Sequence, residues 1–164
     1  MSEPLFQPPG HDHAHCEASA LDGAEARCRE MGLRLTPIRR QVLAALTSAH
    51  RPFGAYEIMD RLAEKGPRPA PITVYRALDF LLEHGFVHRI ASRNAFVACH
   101  HHHDAGESVV FLLCESCGSV GEAHSAPLHQ ALNAASRAVG FTPKSSTLEV
   151  AGLCEHCAKH GKTK

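Results

Sequence analysis

The sequence predicts an α+β fold in two parts, a helical N-terminal half that ends in a β-hairpin and a small α/β unit after it. Three observations carry this reading. Apolar residues recur at helical spacing through the first half and change to short strand-like runs from Phe86 onward. Two Cys-x-x-Cys pairs, Cys114/Cys117 and Cys154/Cys157, both fall in the last third of the chain. The formal net charge of zero conceals a division: residues 1–23 carry four acids and no Lys or Arg, residues 24–98 carry 12 Lys/Arg against 7 Asp/Glu, and residues 99–164 carry 5 against 6.

Length and composition set the bounds. The 164 residues suffice for one ordinary domain or two small ones. Hydrophobic residues make up 44% and aromatics only 5%, with no Trp, so Leu, Val, Ala and Ile must fill the core. No apolar run approaches the roughly 20 residues needed to cross a bilayer. The His-rich start of the chain has no apolar stretch of the kind a secretory signal needs. A cytoplasmic protein with no membrane partner is the expectation.

The elements follow in order. Residues 1–18, rich in Pro and His, read as a flexible tail. Residues 19–98 form the first domain. Ala20 to Met31 is helical in composition, and Gly32 stops it. Thr36-Pro37 starts the next helix, Thr as N-cap and Pro at the first helical position; Ile38, Val42, Leu46 and Ala49 form its buried stripe. Ala55 to Lys65 is a third helix with Ile58 and Leu62 inward, ended by Gly66-Pro67. A fourth runs from Pro71 to Glu83, with Gly85 beyond it. Val74, Leu78, Leu81 and Leu82 share one arc, leaving Thr73, Tyr75 and Arg76 on or near the opposite one. Two short runs, Phe86–Ile90 and Ala95–Cys99, flank the polar turn Ser92-Arg93-Asn94 and read as a hairpin.

Helices followed by such a hairpin are the parts of a winged helix, in which one helix enters the DNA major groove and the hairpin touches the backbone. All but one of the basic residues in 24–98 are Arg, which suits phosphate and guanine geometry. The fold class expected is therefore α+β, with an N-terminal winged-helix DNA-binding domain followed by a small α/β dimerisation domain that holds a four-cysteine zinc site. That second domain spans residues 99–158. It has strands at Ser108–Leu113, Val120–His124 and Thr147–Ala151, a helix opened by Ser125-Ala126-Pro127, and a basic tail at 159–164. The helix carries Leu128, Leu132, Ala135 and Val139 on one face. The unit is small enough to need a metal or a second subunit for support.

The two cysteine pairs, separated by 36 residues, are the strongest chemical signal. Brought together, Cys114, Cys117, Cys154 and Cys157 form a closed tetrahedral site of four sulfurs, the usual geometry of structural zinc. Four soft thiolates select zinc or an iron–sulfur cluster over hard cations. A second, dispersed group comprises His88, Cys99, His100–His103, Glu107, Glu122 and His124. An ion held by residues of both halves would fix their relative orientation, as a sensor requires. The mixed N/S/O donors suit zinc, and Cys99 disfavours iron or manganese. The alternative is a solvent-exposed His loop that scavenges metal.

These residues resemble a known family. Arg34-Leu35-Thr36-Pro37-x-Arg39, Ala55-Tyr56, Thr73-Val74-Tyr75-Arg76-Ala77-Leu78 and the spaced cysteine pairs are similar to the ferric uptake regulator family. The run from Ala77 to His88, followed by Cys99, looks like its zinc uptake regulator branch. The resemblance covers roughly residues 20–158. It implies a homodimer that binds double-stranded operator DNA when zinc is replete and represses zinc-uptake genes. It implies two zinc ions per chain. Cys114, Cys117, Cys154 and Cys157 would hold the structural one, and His88, Cys99 and Glu122 match ligands of the regulatory one. The branch has a His where this chain has Glu107, so the fourth regulatory ligand is expected to be His103, with Glu107 the alternative. Tyr56 and Arg76 match DNA-contacting positions, on or beside a helix that also presents Thr73 and Tyr75. A further family site uses a His where this chain has Val139 and is not expected here.

Other function classes fit the same residues less well. No His-Glu-x-x-His, Gly-x-Ser-x-Gly or glycine-rich phosphate loop is present, so no enzyme is expected. A metal buffer or chaperone would use the His clusters but needs no recognition helix. Within the family, sensing of iron, manganese, nickel or peroxide is the competing reading.

Overall fold

The computed structural model describes residues 5–6, 13–99 and 108–161, with backbone only at 13–16 and 108. The chain divides into two compact units, Pro8–His100 and a second built from Met1–Gln7 with His101–Lys164.

The first unit begins with α1 (His13–Glu30), then α2 (Pro37–Thr47), α3 (Ala55–Ala63) and α4 (Pro71–Glu83). Helix α1 starts at His13, inside the segment expected to be a tail. Ala18, Ala20 and Leu21 are good helix formers, and Leu21, Ala24 and Cys28 bury one face in the core. Helices α2 and α4 each open with Pro after an extended residue, Thr36 and Ala70; neither has a side-chain cap. Gly85, with φ +70°, turns the chain out of α4 into the hairpin. Only glycine takes that conformation without strain.

Strands β1 (Val87–Ile90) and β2 (Ala95–Ala98) pair antiparallel, Val87 opposite Ala98. Their connection is a 3-10 turn over Ala91–Arg93 ending at Asn94 in the left-handed region, where Asn is tolerated among non-glycine residues. Arg89 Nη2 donates to Asn94 Oδ1 at 2.9 Å across the turn. Phe53, in the α2–α3 connection, adds a one-residue third strand. Its N–H donates to Phe96 O at 2.9 Å, and Phe96 N–H donates to Phe53 O at 2.8 Å.

That bridge places the Phe53 ring, fully buried, in the core with Val42, Leu46, Ile58, Val74, Leu78 and Leu81. The guanidinium carbons of Arg61 and Arg51 lie 4.0 Å and 4.4 Å from its centroid. Arg61 Nη1 donates to Ser48 Oγ at 2.7 Å, and Arg51 pairs with Glu57. Similarly, Arg39 stacks 3.5 Å from the Phe80 centroid and so binds α2 to α4. Arg39, Arg51 and Arg61 thus act partly as packing groups.

The second unit contains β3 (Ser108–Cys114), β4 (Val120–His124), α5 (Ala126–Ala138), β5 (Ser146–Gly152) and α6 (Glu155–His160). The sheet order is β4-β3-β5, with β4 antiparallel and β5 parallel to β3. Helix α5 is the crossover that the parallel pairing requires. Ser125 Oγ caps it, accepting from Leu128 N–H at 3.4 Å. Helix α6 carries the second cysteine pair, with Cys154 at its N-cap and Cys157 within it. None of the residues of α5 is buried, and the expected inward face includes Val139 at 80% exposure.

Phe53→Ala should destabilise the first unit by about 3–5 kcal/mol, the range for deleting a buried aromatic ring. Urea unfolding of the zinc-loaded protein followed by far-UV circular dichroism measures it. A loss below about 1 kcal/mol would mean that the ring does not anchor this core.

Candidate metal centre and nucleic-acid interface

The four cysteines meet at one end of the sheet. Strand β3 delivers Cys114 at its last residue, parallel partner of Gly152 at the end of β5. The chain then folds into a tight turn. Cys114 N–H donates to Ser119 O at 2.9 Å, Gly118 N–H donates to Cys114 O at 3.0 Å, and Gly118 has φ +80°. This turn brings Cys117 back beside Cys114. Glu115 N–H donates to Gly152 O at 2.8 Å, locking the turn to the end of β5. Two residues later Cys154 stands at the N-terminus of α6, whose first turn carries Cys157.

The sulfurs of Cys114, Cys117, Cys154 and Cys157 all lie within 4.8 Å of one another. Cys117 and Cys154 are 3.9 Å apart. Cys114, Cys154 and Cys157 are buried and Cys117 half-buried. The described cysteines form no disulfide. Four convergent thiols without a bond between them match the closed donor set of structural zinc.

Their protonation agrees. Burial raises the Cys114 thiol, but the backbone N–H groups of Cys117, Cys154 and Ser116 and the Cys117 side chain outweigh it, bringing the pKa down from 9.0 to about 6. Burial pushes Cys154 up to about 12, reinforced by the side chains of Cys157, Cys114 and Cys117. One thiolate forms readily; further ones crowd negative charge into the same space. A divalent cation would remove that obstacle, with Cys114, Cys117, Cys154 and Cys157 holding it as thiolates.

The second set of expected ligands stands as follows. His88 lies on β1 opposite Val97, and Cys99 follows β2 with its N–H donating to Phe86 O at 3.0 Å. Their ligand atoms lie within 4.8 Å of each other, since the hairpin brings both strand ends to one side. Glu122 is on β4 opposite Phe111, with a carboxylate oxygen 3.8 Å from His124 Nε2. His103 and Glu107 lie outside the described residues.

The expected nucleic-acid face lies on α3 and α4. Val74, Leu78 and Leu81 are at most 1% exposed and pin α4 from behind. Its other side presents Tyr75, at 41% exposure, and Arg76, with Thr73 half-buried. Tyr56, in the first turn of α3, is 66% exposed. Exposed tyrosines on a helical unit with net positive charge suit contact with bases and phosphates.

The protein-family model described as "Ferric uptake regulator family" matches residues 30–151. The chain belongs to the ferric uptake regulator family. Among curated members it is 36% identical over 139 residues to the zinc uptake regulation protein of Escherichia coli strain K12, covering 85% of this chain and 81% of that protein. It is 30% identical over 147 residues to the peroxide operon regulator of Bacillus subtilis strain 168, covering 87% and 96%. A solved zinc uptake regulator complexed with zinc and DNA superposes with a TM-score of 0.82 at 35% identity, covering 87% of this chain and 95% of that one. The crystal structure of holo XcZur superposes at 0.78 with 49% identity, covering 86% and 98%.

For this family member, Cys114→Ser should abolish retention of tightly held zinc and unfold the second unit while α1–α4 persist. Zinc analysis after gel filtration, with circular dichroism, reads both. Acidification should release the ion, since protons compete for the thiolates that hold it, Cys114 the lowest among the shifted ones; zinc analysis across a pH series reads the loss. The stability linked to this thiolate is fully present above the ordinary thiol value and is lost as pH falls through about 6.

Proposed function

We propose that this protein is a zinc-responsive transcriptional repressor, not an enzyme, which binds operator DNA as a homodimer when zinc is replete and represses zinc-uptake genes. The observation that carries the reading is helix α4. It is fixed from behind by fully buried residues and presents Tyr75 and Arg76 outward, with Tyr56 exposed on α3, in a chain that also gathers four cysteines. A relative bearing the name of zinc uptake regulator and a solved complex with zinc and DNA support it. Tyr56, Thr73, Tyr75 and Arg76 are the DNA-contacting residues in this reading.

Two ions per chain are proposed. The structural one is held by Cys114, Cys117, Cys154 and Cys157. The regulatory one is held by His88, Cys99, Glu122 and His103, with Glu107 the alternative to His103. The proximity of His88 to Cys99 within one unit supports the pair as ligands. The thiolate of Cys99 favours zinc over the harder iron and manganese ions. Domain limits follow the two roles: a His-rich segment over 1–18, whose residues from His13 already belong to α1, the winged helix over 19–98, the α/β unit over 99–158 and a basic tail over 159–164. Among the described residues no helix is long and apolar enough to cross a membrane. The protein acts in the cytoplasm, where operator DNA is accessible and thiols stay reduced.

The dimer is supported by what the second unit leaves uncovered. Val139, Phe141, Val150 and Leu153 are 80%, 62%, 49% and 60% exposed. Strand β5 is an edge of its sheet among the described residues, the position from which another chain can extend a sheet. A second copy covers both.

When bound, the regulatory ion supplies a link between donors from both halves of the chain. His88 and Cys99 hold the DNA-binding side of that link and Glu122 the dimer side. The ion and operator DNA then favour the same arrangement, so DNA tightens zinc binding by the factor by which zinc tightens DNA binding. A coupling of about 1–3 kcal/mol, roughly 5–150-fold, is the usual size.

Cys99→Ser should leave a folded dimer whose operator affinity no longer responds to zinc, read by fluorescence anisotropy across a zinc titration. Unchanged zinc dependence in that variant would remove Cys99 from the switch. Arg76→Ala should weaken operator binding by about 1–3 kcal/mol at fixed salt, the range for a good base contact. Phe141→Asp should shift the protein toward monomer in analytical ultracentrifugation and lose operator binding with it.

A further inference from the structure

Leu5 and Phe6 belong to the same compact unit as residues 101–164. Phe6 packs against the cluster of Cys114, Cys154 and Cys157, as does Cys117. Leu5, by contrast, is 44% exposed. Both residues sit over Gly121, a buried residue in the middle of β4. A Cβ built on Gly121 would lie 3.1 Å from Leu5 Cγ, 3.1 Å from Leu5 O and 3.1 Å from Phe6 Cε2. Ordinary contacts at such an atom are 3.4–4 Å. One of the three atoms is backbone, which cannot simply rotate away.

A glycine inside a strand weakens it unless another backbone must approach closely. Gly121 is absent from the residues with positive φ, so its backbone conformation does not require glycine. The space above it does. The bare face of Gly121 is a seat, and residues 5–6 occupy it.

We propose that Leu5–Phe6 is a strap, seated on Gly121, that covers the four-cysteine cluster with the Phe6 ring and slows escape of its zinc ion. The proposal rests on the assignment of that cluster to zinc and is independent of DNA binding. Zinc leaves a thiolate site when water or an incoming ligand replaces the sulfurs one at a time. An apolar shell over the donors restricts that access. Cys117 is half-buried where the other three cysteines are buried, so it is the most open of the four, and Phe6 packs against the other three as Cys117 does. The strap therefore acts on the rate of metal exchange at a site whose ligand set it does not join.

The test uses the full-length zinc-loaded protein. A brief exposure to EDTA removes labile metal, and transfer of the retained ion to excess 4-(2-pyridylazo)resorcinol is then followed at neutral pH. Phe6→Ala and Gly121→Val should each release zinc on the order of 10-fold faster, the lower end of effects seen on removing groups around a metal's ligands. Phe6→Leu, which keeps an apolar cover, should stay close to the parent chain. Circular dichroism of each zinc-loaded variant should match the parent. Equal release rates in the parent and Phe6→Ala overturn the strap while leaving the zinc cluster standing. Absence of any retained ion in the parent overturns both. If Gly121→Val loses its fold, the two Phe6 variants alone decide the matter.

Discussion

The convergence of four sulfurs at one end of a three-stranded sheet is the constraint on which the second unit depends. Cys114 ends β3 and Cys154 follows β5, so the cluster closes where the two parallel strands finish together. The burial that brings the thiols within 4.8 Å also opposes their collective ionisation. A divalent cation resolves that conflict, and its binding free energy becomes folding free energy. The unit has little else to rely on. Its buried residues are largely those of β3, and α5 buries none of its own.

The first unit is built on the opposite principle. It has a continuous apolar core from α1 to the hairpin, in which Phe53 bridges to Phe96 and receives two guanidinium groups. The consequence for function is a rigid platform: the residues assigned to DNA stand on helices whose rear faces are locked. In the function proposed above, metal would govern how such platforms are presented, while their surface stays the same. This is the division a repressor needs if its affinity is to be switched without changing what it reads.

Much of this was legible in the sequence where local signals and tertiary packing agree. Pro71 and Gly85 mark α4 because a proline opens a helix and a glycine leaves it, and the structure gives Pro71–Glu83. The cysteine spacing marks the cluster because thiolate chemistry demands it. Other features had no local signature. Helix α1 begins at His13 because Ala-rich residues prevail over a His cluster that suggests a tail. Helix α6 is six residues long, too short for periodicity to reveal. The Phe53–Phe96 bridge and the seat on Gly121 are contacts between distant residues, and nothing near Phe53 or Phe6 announces them. The face of α5 has helical periodicity, but periodicity cannot say whether its cover comes from the same chain or another. His103 and Glu107 fall outside the described residues, so the choice between them stays with the zinc chemistry proposed above.

The parallel register of β3 and β5 has a kinetic implication. Val110 pairs with Leu148 across an intervening strand, β4, and helix, α5. Closing so long a loop is slow relative to forming the local turn at Cys114 and Cys117. The Cys114 and Cys117 pair is therefore arranged by the chain immediately around it, whereas Cys154 and Cys157 reach it only once the distant strand has docked. Capture of a metal by all four would thus report a completed topology, which a single local Cys-x-x-Cys turn could not do.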